Sequence, residues 1–372
     1  MSWAEWVAGR NEKARARGRW RELRELDALG LHGKLPGGRE VTIFAANDYF
    51  GLSAHPKVVE AAERALRCWG TGAGAARLIS GSRPVHRQLE ERLAEWKGTE
   101  AALVFPSGYS TNLGALSALA GPQVQICSDS LNHASIIDGC RLASSYGAKV
   151  EIYPHASAQA VEELLAAWPG RSVVVTDSVF SMDGDAAPVA DLAASCARHG
   201  ALLVVDEAHA ALGPHLGRPS CQLLRVGTLS KALGSQGGFV AGDRSMIELL
   251  VNRCRPFIFT TALAPASAAA ALAALGIVTS VEGATLAARL EGHVRRLQPG
   301  KPVISPIIPV IVGDEDAALG ASDALLEAGF FIPAVRPPTV PPGSSRLRVT
   351  LSAAHTEQEV DLLKKALGAL GP

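Results

Sequence analysis

Short apolar runs alternate with helical segments along most of this chain, and that alternation constrains the fold more than any other feature. From Val41 onward, β-branched or apolar runs recur near residues 103, 125, 151, 173, 203 and 226, and the stretches between them have helical periodicity. Strands that alternate with helices in this way pair as a mainly parallel sheet. The pattern therefore predicts an α/β fold.

The two ends of the chain have different patterns. Residues 2–29 mix Arg and Glu with Trp and Leu at helical spacing, which indicates an amphipathic arm. After about Thr261 the sequence becomes alanine-rich and helical, and it ends with further strand-like and helical runs. We therefore expect an N-terminal arm (1–42), a large domain (43–265) and a small C-terminal α+β domain (266–372).

Charge and cysteine content exclude several classes of function. Lys plus Arg and Asp plus Glu number 36 each, so no net positive field exists to gather nucleic acid or an anionic membrane surface. Neither a stretch of about 18 uncharged apolar residues nor the residue order of a signal peptide is present. The six cysteines are scattered without a CxxC pair or zinc-type spacing, which indicates reduced thiols and no metal site. We expect a soluble, cytoplasmic protein.

Polar residues follow the buried run that ends at Val205. Asp206, Glu207, Ala208 and His209 stand at the carboxyl end of this run, where ligands of open α/β sheets bind. An aspartate at such a place caps a helix, ligates a metal or pairs with a protonated pyridine nitrogen. The local sequence leaves these alternatives open.

Two nucleotide-binding interpretations fail on their sequence context. The letters DEAH match a motif of nucleotide-hydrolysing motor proteins, but such a protein also needs GxxxxGK followed by Ser or Thr. None of the nine lysines precedes either residue. Gly70, Gly72 and Ala75 fit the loose dinucleotide fingerprint GxGxx(G/A), yet they follow a helical pattern rather than a strand. These glycines are therefore expected to form a loop.

Lys231 and a serine-containing turn are candidates for holding a cofactor. Lys231 follows the apolar run 223–229 and precedes a glycine-rich turn, which would desolvate its amine, although most lysines lie on the surface. Ser107, Gly108 and Tyr109 follow a strand and open a helix, a pattern that suits a phosphate and equally an ordinary helix cap. His133, in a loop after the next strand, has an imidazole able to stack on an aromatic ring, although a lone loop histidine is usually inert.

Six stretches, in this order along the chain, resemble the α-oxoamine synthase family of fold-type I pyridoxal phosphate (PLP) enzymes. They are NDYFGLSAHP from Asn47, NHASIIDG from Asn132, VTDSVFSMDGDAAPV from Val175, VVDEAHA from Val204, TLSKALG from Thr228 and RPPTVPPGSSRLRVTLSAAH from Arg336. Members of this family condense an amino acid with an acyl thioester and release carbon dioxide. The resemblance implies a seven-stranded, mainly parallel sheet between helices, PLP as cofactor, and a homodimer with shared active sites.

The resemblance also implies roles for individual residues. Lys231 would carry PLP as a Schiff base and transfer protons, and Asp206 would pair with the pyridine nitrogen. His133 would stack on the ring, while His209 and Ser181 would lie near its phenolic oxygen. The positions implied around the phosphate or ring are Ser107, Gly108, Tyr109, Thr228, Ser230 and, from the second subunit, Thr260 or Thr261.

Within the family, the RPPTVPPG and VFSMDGD stretches and the short chain resemble the members that join L-alanine to a pimeloyl thioester. The resemblance leaves open whether the acyl carrier is coenzyme A or acyl carrier protein. A glycine-using synthase of the same family, another PLP activity such as amino transfer, and a nucleotide-binding switch are the alternatives.

Four residues are expected to bind the substrates. Arg346 resembles the guanidinium that clamps the amino-acid carboxylate, with Arg348 as a second candidate and Asn47 as a helper. Thr339 lies in the RPPTVPPG run and is expected to contact substrate. Arg21, with Arg19 as the alternative, is expected to meet the distal carboxylate of the acyl chain.

Overall fold

The structure is a computed structural model that describes residues 1–214, 216–217 and 219–370. Its helices are α1 (Trp3–Ala16), α2 (Pro56–Trp69), α3 (Pro84–Lys97), α4 (Gly108–Leu119), α5 (Ala134–Ser145), α6 (Ala158–Ala167), α7 (Val189–His199), α8 (Arg244–Arg253), α9 (Arg255–Ile258), α10 (Pro265–Val278), α11 (Val281–Leu297), α12 (Glu315–Glu327) and α13 (Glu357–Ala369). Its strands are β1 (Asp27–Leu29), β2 (His32–Lys34), β3 (Glu40–Ile43), β4 (Ala101–Phe105), β5 (Val124–Asp129), β6 (Lys149–Tyr153), β7 (Arg171–Asp177), β8 (Leu202–Asp206), β9 (Leu223–Thr228), β10 (Gly238–Gly242), β11 (Ile307–Gly313), β12 (Phe330–Phe331), β13 (Ala334–Val335) and β14 (Ser345–Thr350).

Seven strands form the central sheet, in the order β4–β10–β9–β8–β7–β5–β6. β10 runs antiparallel to both of its neighbours, and the other pairs are parallel. Every residue of β8 is buried, as its unbroken run of Leu and Val requires when helices cover both faces of the sheet. The α/β fold with a mainly parallel seven-stranded sheet, predicted from the sequence, is confirmed.

Amphipathic helices cover the sheet, and α7 shows how their sequences place them. Val189, Leu192, Ala193 and Cys196 recur at helical spacing and are all buried against the sheet. Full burial of a leucine side chain such as Leu192 contributes about 2 kcal/mol. The helix ends at Gly200, whose backbone is left-handed (φ 63°), so that the chain turns directly into β8.

Two smaller sheets complete the fold. β1, β2 and β3 pair in an antiparallel ladder, and β3 continues it by pairing in parallel with β12. β11, β14 and β13 form a three-stranded antiparallel sheet that carries Arg346 and Arg348. Helix α1 begins at a capping box formed by Ser2 and Glu5 and buries none of its residues. The division into an arm and two domains stays a prediction.

No single helix in the described part of the chain combines the length and the apolar composition needed to cross a bilayer. Helices α10 and α11 meet that test only as a pair, and they are bent by 79° at the break between them. Helix α10 packs against α2 and α3 in the interior.

Candidate active site

The carboxyl ends of the central strands bring the predicted residues to one edge of the sheet. β4 leads to Ser107, β5 to His133 and β9 to Lys231, while β7 and β8 end directly in Asp177 and Asp206. Because parallel strands all end at the same edge, residues far apart in sequence become neighbours there.

Two buried carboxylates lie side by side at the centre of this edge. Asp177 and Asp206 are register partners on β7 and β8. Asp206 accepts hydrogen bonds from Asn112 Nδ2 at 2.6 Å and from the Ala208 amide at 2.9 Å. Asp177 accepts from the His133 amide at 2.8 Å, and burial together with the charge of Asp206 raises the pKa of Asp177 well above its usual value. A cation placed at Asp206 would relieve this repulsion.

A hydrogen-bonded chain leads from the lysine amine to strand β14. Lys231 Nζ lies 2.9 Å from His209 Nε2, and His209 Nδ1 lies 2.6 Å from the Tyr49 hydroxyl. The Tyr49 hydroxyl donates to Asn47 Oδ1 at 3.1 Å, and Arg348 Nη2 donates to the same oxygen at 3.1 Å. A neutral imidazole donates from one ring nitrogen and accepts at the other, so His209 links the lysine amine to the Tyr49 hydroxyl.

Burial shifts the pKa of three groups in this chain toward their neutral forms. It lowers the pKa of Lys231, against the opposing charge of Asp206. Burial and the charges of Lys231 and Arg348 lower the pKa of His209 well below its usual value. Burial raises the pKa of Tyr49 to about 12. The amine is therefore neutral over a wider pH range than a surface lysine, and its two polar neighbours do not ionise near neutral pH.

The first turn of α4 and the end of β9 form a cradle for an anion. Ser107 caps α4, and its Oγ accepts from the Ser110 amide at 3.1 Å. A Cβ on Gly108 would lie 3.3 Å from Thr228 Cβ, so only a small residue lets the helix approach the strand this closely. Thr228 Oγ1 lies 2.7 Å from Ser230 Oγ. Amides at a helix N-terminus and three nearby hydroxyls are the donors that a phosphate requires.

His133 and Tyr109 border the site from α5 and α4. Their ring centroids are 6.5 Å apart in an edge-to-face arrangement. His133 caps α5 by accepting from the Ser135 amide at 3.2 Å. Burial lowers the pKa of His133, against the opposing charge of Asp206, which favours a neutral imidazole able to face an aromatic ring. Tyr109 is partly exposed and donates to Asp138.

Two arginines on β14 lie in different surroundings. Arg346 Nη1 lies 2.5 Å from Asp183 Oδ1, so its charge is already paired. Arg348 donates from Nε to the Ser181 carbonyl and from Nη2 to Asn47. Both arginines are buried, but the structure brings Arg348, and not the expected Arg346, to the hydrogen-bonded chain at the lysine. Ser181 contributes its carbonyl oxygen there.

A second, basic cleft lies next to Met182. Its volume is about 250 Å³, and its walls include Arg19, Arg21, Met182, Arg336, Pro338 and Thr339. The cleft thus brings together Arg21 and Thr339, two of the residues expected to bind substrate. Glu315 is the acidic neighbour of this cleft and lies 3.9 Å from each of Arg19 and Arg336. With Arg21 the cleft has three arginines against this one acid, so its net charge is positive.

The structure also shows site residues that sequence reasoning did not find. Asn112 lies one helical turn after Gly108 on α4, and this spacing is the signal that places both on one face of the helix. Tyr49 lies within the NDYFGLSAHP stretch, between Asn47 and the glycine. Thr260 and Thr261 follow α9, and among the described residues neither forms a hydrogen bond with the cradle, so their expected role in a partner's site stays a prediction.

Comparison with known proteins identifies the family. The sequence model of the family described as aminotransferase class I and II matches residues 39–367. A protein of Anaeromyxobacter dehalogenans named 8-amino-7-oxononanoate synthase is 48% identical over an alignment of 379 positions that covers 94% of each chain. The chain belongs to the class I and II aminotransferase family. Within that family it is a PLP-dependent acyltransferase, similar to proteins named 8-amino-7-oxononanoate synthase.

Solved structures agree with this assignment. Serine palmitoyltransferase from S. paucimobilis, with a bound PLP–myriocin aldimine, superimposes with a TM-score of 0.89 at 29% identity and covers 98% of this chain and 96% of its own. 8-Amino-7-oxononanoate synthase from Francisella tularensis gives a TM-score of 0.72 at 26% identity, over 89% of this chain and 96% of its own. PLP is therefore the cofactor, and the predicted fold-type I architecture is confirmed.

The residues present fit PLP group by group. Lys231 provides a partly buried amine with a lowered pKa, which would hold the cofactor covalently. Asp206, beside a second buried carboxylate, suits a protonated ring nitrogen. His133 would cover one ring face, and the α4 cradle would take the phosphate.

Proposed function

We propose that this acyltransferase condenses L-alanine with a pimeloyl thioester to form 8-amino-7-oxononanoate, carbon dioxide and the free thiol of the carrier. The observation that carries the proposal is that two arginines lie near consecutive residues, Arg348 at Ser181 and Arg21 in the cleft that Met182 lines. Arg348 contacts Ser181 near the reactive lysine, and the cleft with Arg21 borders Met182. Two carboxylate-binding places suit an amino acid and an acyl chain that ends in a free carboxylate. The names of the relatives support the same reaction.

Arg348 and Asn47 would bind the carboxylate of the amino acid. The guanidinium of Arg348 is buried, and its planar fork binds a carboxylate through two parallel hydrogen bonds. Its Nε is fixed by the Ser181 carbonyl, which sets the direction of the fork. Arg346 would act as a structural residue, because Asp183 already neutralises it.

Lys231 would move the protons of the reaction. PLP, when bound, supplies an electron sink that stabilises negative charge at the α-carbon of the amino acid. Lys231 Nζ would take the α-proton, as its lowered pKa favours, and return a proton to the product. His209 would orient the amine through its contact at Nε2, and Asp206 would keep a proton on the ring nitrogen of PLP.

Amino-acid choice provides the test. The PLP-loaded protein is titrated with L-alanine, glycine and L-serine while its visible absorption is recorded, and then given pimeloyl-CoA or pimeloyl acyl carrier protein. We expect L-alanine to bind tightest and the product mass to match 8-amino-7-oxononanoate. A preference for glycine or L-serine would replace the proposed substrate, and the serine arm is needed because serine palmitoyltransferases share the fold.

We also propose that the protein is a cytoplasmic homodimer in which Thr260 or Thr261 reaches the anion cradle of the partner. Phe259 lies next to these threonines and Ile79 lies in the helical segment Arg77–Gly81, which contacts α9; their apolar side chains are 68% and 81% exposed, which supports an interface here. Mixing inactive Lys231→Ala protomers with inactive protomers that carry both Thr260→Ala and Thr261→Ala should restore turnover. Failure of the mixture, with dimers present, would contradict shared sites.

A further inference from the structure

A short hairpin connects the large sheet to both arginines of β14. We call residues 179–186 the arginine hairpin. Its ends meet in a bridge between Val179 and Ala186, and the Phe180 amide donates to the Asp185 carbonyl at 2.9 Å. The Ser181 carbonyl and the Asp183 carboxylate bind Arg348 and Arg346. The position of the hairpin therefore sets the position of both guanidinium groups.

The other side of the hairpin is held by strand β11 at Gly184. The Gly184 carbonyl accepts from Ser305 Oγ at 2.7 Å. A Cβ on Gly184 would lie 2.3 Å from the Ile307 carbonyl oxygen, and its φ of 69° is left-handed, so a larger residue would push the hairpin away.

His155 links the hairpin to the end of β5. Its Nδ1 lies 3.0 Å from Asp129 Oδ1, and its Nε2 lies 2.8 Å from Asp185 Oδ2. Asp129 is fixed, because its side chain is fully buried and also accepts from the Ala156 amide at 2.8 Å. The imidazole also contacts Phe180 edge to face, with ring centroids 4.3 Å apart. His155 thus connects the arginine hairpin to the end of β5.

The charges around His155 favour its protonated form. The titratable groups that face it are Asp129 on the β5 side and Asp185 on the hairpin. Burial lowers the pKa of His155, but hydrogen bonds and charges from these two carboxylates outweigh burial and raise the pKa above its usual value. Only the protonated imidazole donates from both nitrogens, so deprotonation leaves one of the two links without a donor.

We propose that His155 is a positioning residue for amino-acid binding. By holding Asp185 it fixes the arginine hairpin, so that the Ser181 carbonyl keeps Arg348 directed at the amino-acid carboxylate. The inference rests on the proposed role of Arg348 and adds a residue that touches neither substrate nor cofactor.

Amino-acid affinity is the property that should change. In His155→Gln, loss of one charge-assisted link should weaken L-alanine binding about fivefold, while kcat and the KM for the acyl thioester stay within about twofold. The pKa of His155 is raised, so the link is present below that pKa and is lost as the pH rises through it. The wild-type dissociation constant for L-alanine should therefore increase with pH over that interval, and His155→Gln should lack this component.

The first experiment titrates the PLP-loaded protein with L-alanine across pH, following its visible absorption. The matched control is His199→Gln. His199 lies on α7, and its Nε2 is also 2.8 Å from a carboxylate, that of Glu162 on α6, but it does not contact the hairpin. We expect weaker binding only in His155→Gln. Equal affinities and equal pH profiles in both variants would overturn the inference.

Asp185→Asn provides a second route if His155→Gln folds poorly. It removes the charge that His155 contacts on the hairpin and should weaken L-alanine binding to a similar extent, with no further loss in the double variant. In the PLP-free protein, the Phe180 and Gly184 amides should exchange hydrogen faster in either variant, and unchanged exchange would contradict the proposal.

Arg348→Lys separates this inference from the proposed function. If Arg348→Lys binds L-alanine normally, the proposed carboxylate site is wrong. If Arg348→Lys weakens binding and both His155→Gln and Asp185→Asn leave it unchanged, only the positioning role of His155 is wrong.

Discussion

Nζ of Lys231 lies 2.9 Å from Nε2 of His209, and the Tyr49 hydroxyl holds the other nitrogen of the imidazole. Because burial lowers the pKa of His209 and keeps its ring neutral, the lysine amine is held at Nε2 by a neutral hydrogen-bond partner and not by an anion. An amine held in this way is suited to bind a carbonyl carbon and to transfer protons.

Replacing Lys231 by alanine should abolish the visible absorption of the lysine-bound cofactor and turnover together. The expected loss of kcat is about 10³-fold or more, because the variant lacks both the covalent attachment and the proton-transfer group. Absorbance of the PLP-reconstituted protein and product formation provide the two measurements. Lys301→Ala, at an exposed position, should behave as the unmodified protein. Normal turnover by Lys231→Ala would refute the assignment of the reactive amine.

Arg348→Lys and Arg346→Lys form a matched pair two residues apart on β14. Lysine keeps the charge but loses the planar fork, so Arg348→Lys should raise the dissociation constant for L-alanine about tenfold or more. Arg346→Lys should change it less, since Arg346 is paired with Asp183 and does not contact Asn47 as Arg348 does. Spectroscopic titration of both variants measures the difference, and the reverse order would return the carboxylate clamp to Arg346.

The central sheet could be predicted from local sequence because its strands are β-branched runs separated by amphipathic helices. Strand β10 and its antiparallel direction could not, because GFVAG lacks the β-branched run of the other strands and direction depends on the chain path between strands. The pairing of β3 with β12 could not be predicted either. It joins Thr42 to Phe330, and no local pattern encodes a contact over such a separation.

Candidate site residues that stand at or just after the end of a strand, such as Asp206 and Lys231, could be identified from the sequence. The choice between Arg346 and Arg348 was not, because strand alternation places both on one face and only their neighbours distinguish them. His155 carried no signal in the sequence. Its proposed role depends on Asp129 at the end of β5 and on Asp185 in the arginine hairpin, which are 56 residues apart in the sequence.

Burial of His355 should make the stability of the fold depend on pH. This histidine is buried, stacks on Phe44 at 4.0 Å between ring centroids and lies 3.1 Å from the Ile43 carbonyl oxygen. Burial lowers its pKa to about 4, so the unfolded chain binds a proton more readily than the folded one. His355 therefore stabilises the fold above its unfolded pKa, and this contribution is lost as the pH falls toward about 4.

Urea unfolding of the wild type and His355→Gln tests this linkage. From about pH 7.5 to about pH 5, the wild type should lose about 2 kcal/mol more of its free energy of unfolding than the variant does. His199→Gln, at an exposed position, should keep the wild-type dependence. Parallel pH profiles for the wild type and His355→Gln would show that His355 is not the source of this pH dependence of the free energy of unfolding.

Arg21→Ala should weaken binding of the acyl substrate without affecting binding of the amino acid. Arg21 lines the basic cleft beside Met182, whereas Arg24 is an exposed residue of the same segment outside that cleft, so Arg24→Ala is the matched control. An exposed arginine that meets a carboxylate contributes about 1 kcal/mol, so the KM for pimeloyl-CoA should rise about fivefold at low ionic strength and less at high salt. Neither variant should change the dissociation constant for L-alanine. If a thioester of the same chain length without the distal carboxylate shows the same rise in Arg21→Ala, the arginine contacts the chain or the carrier and not the carboxylate.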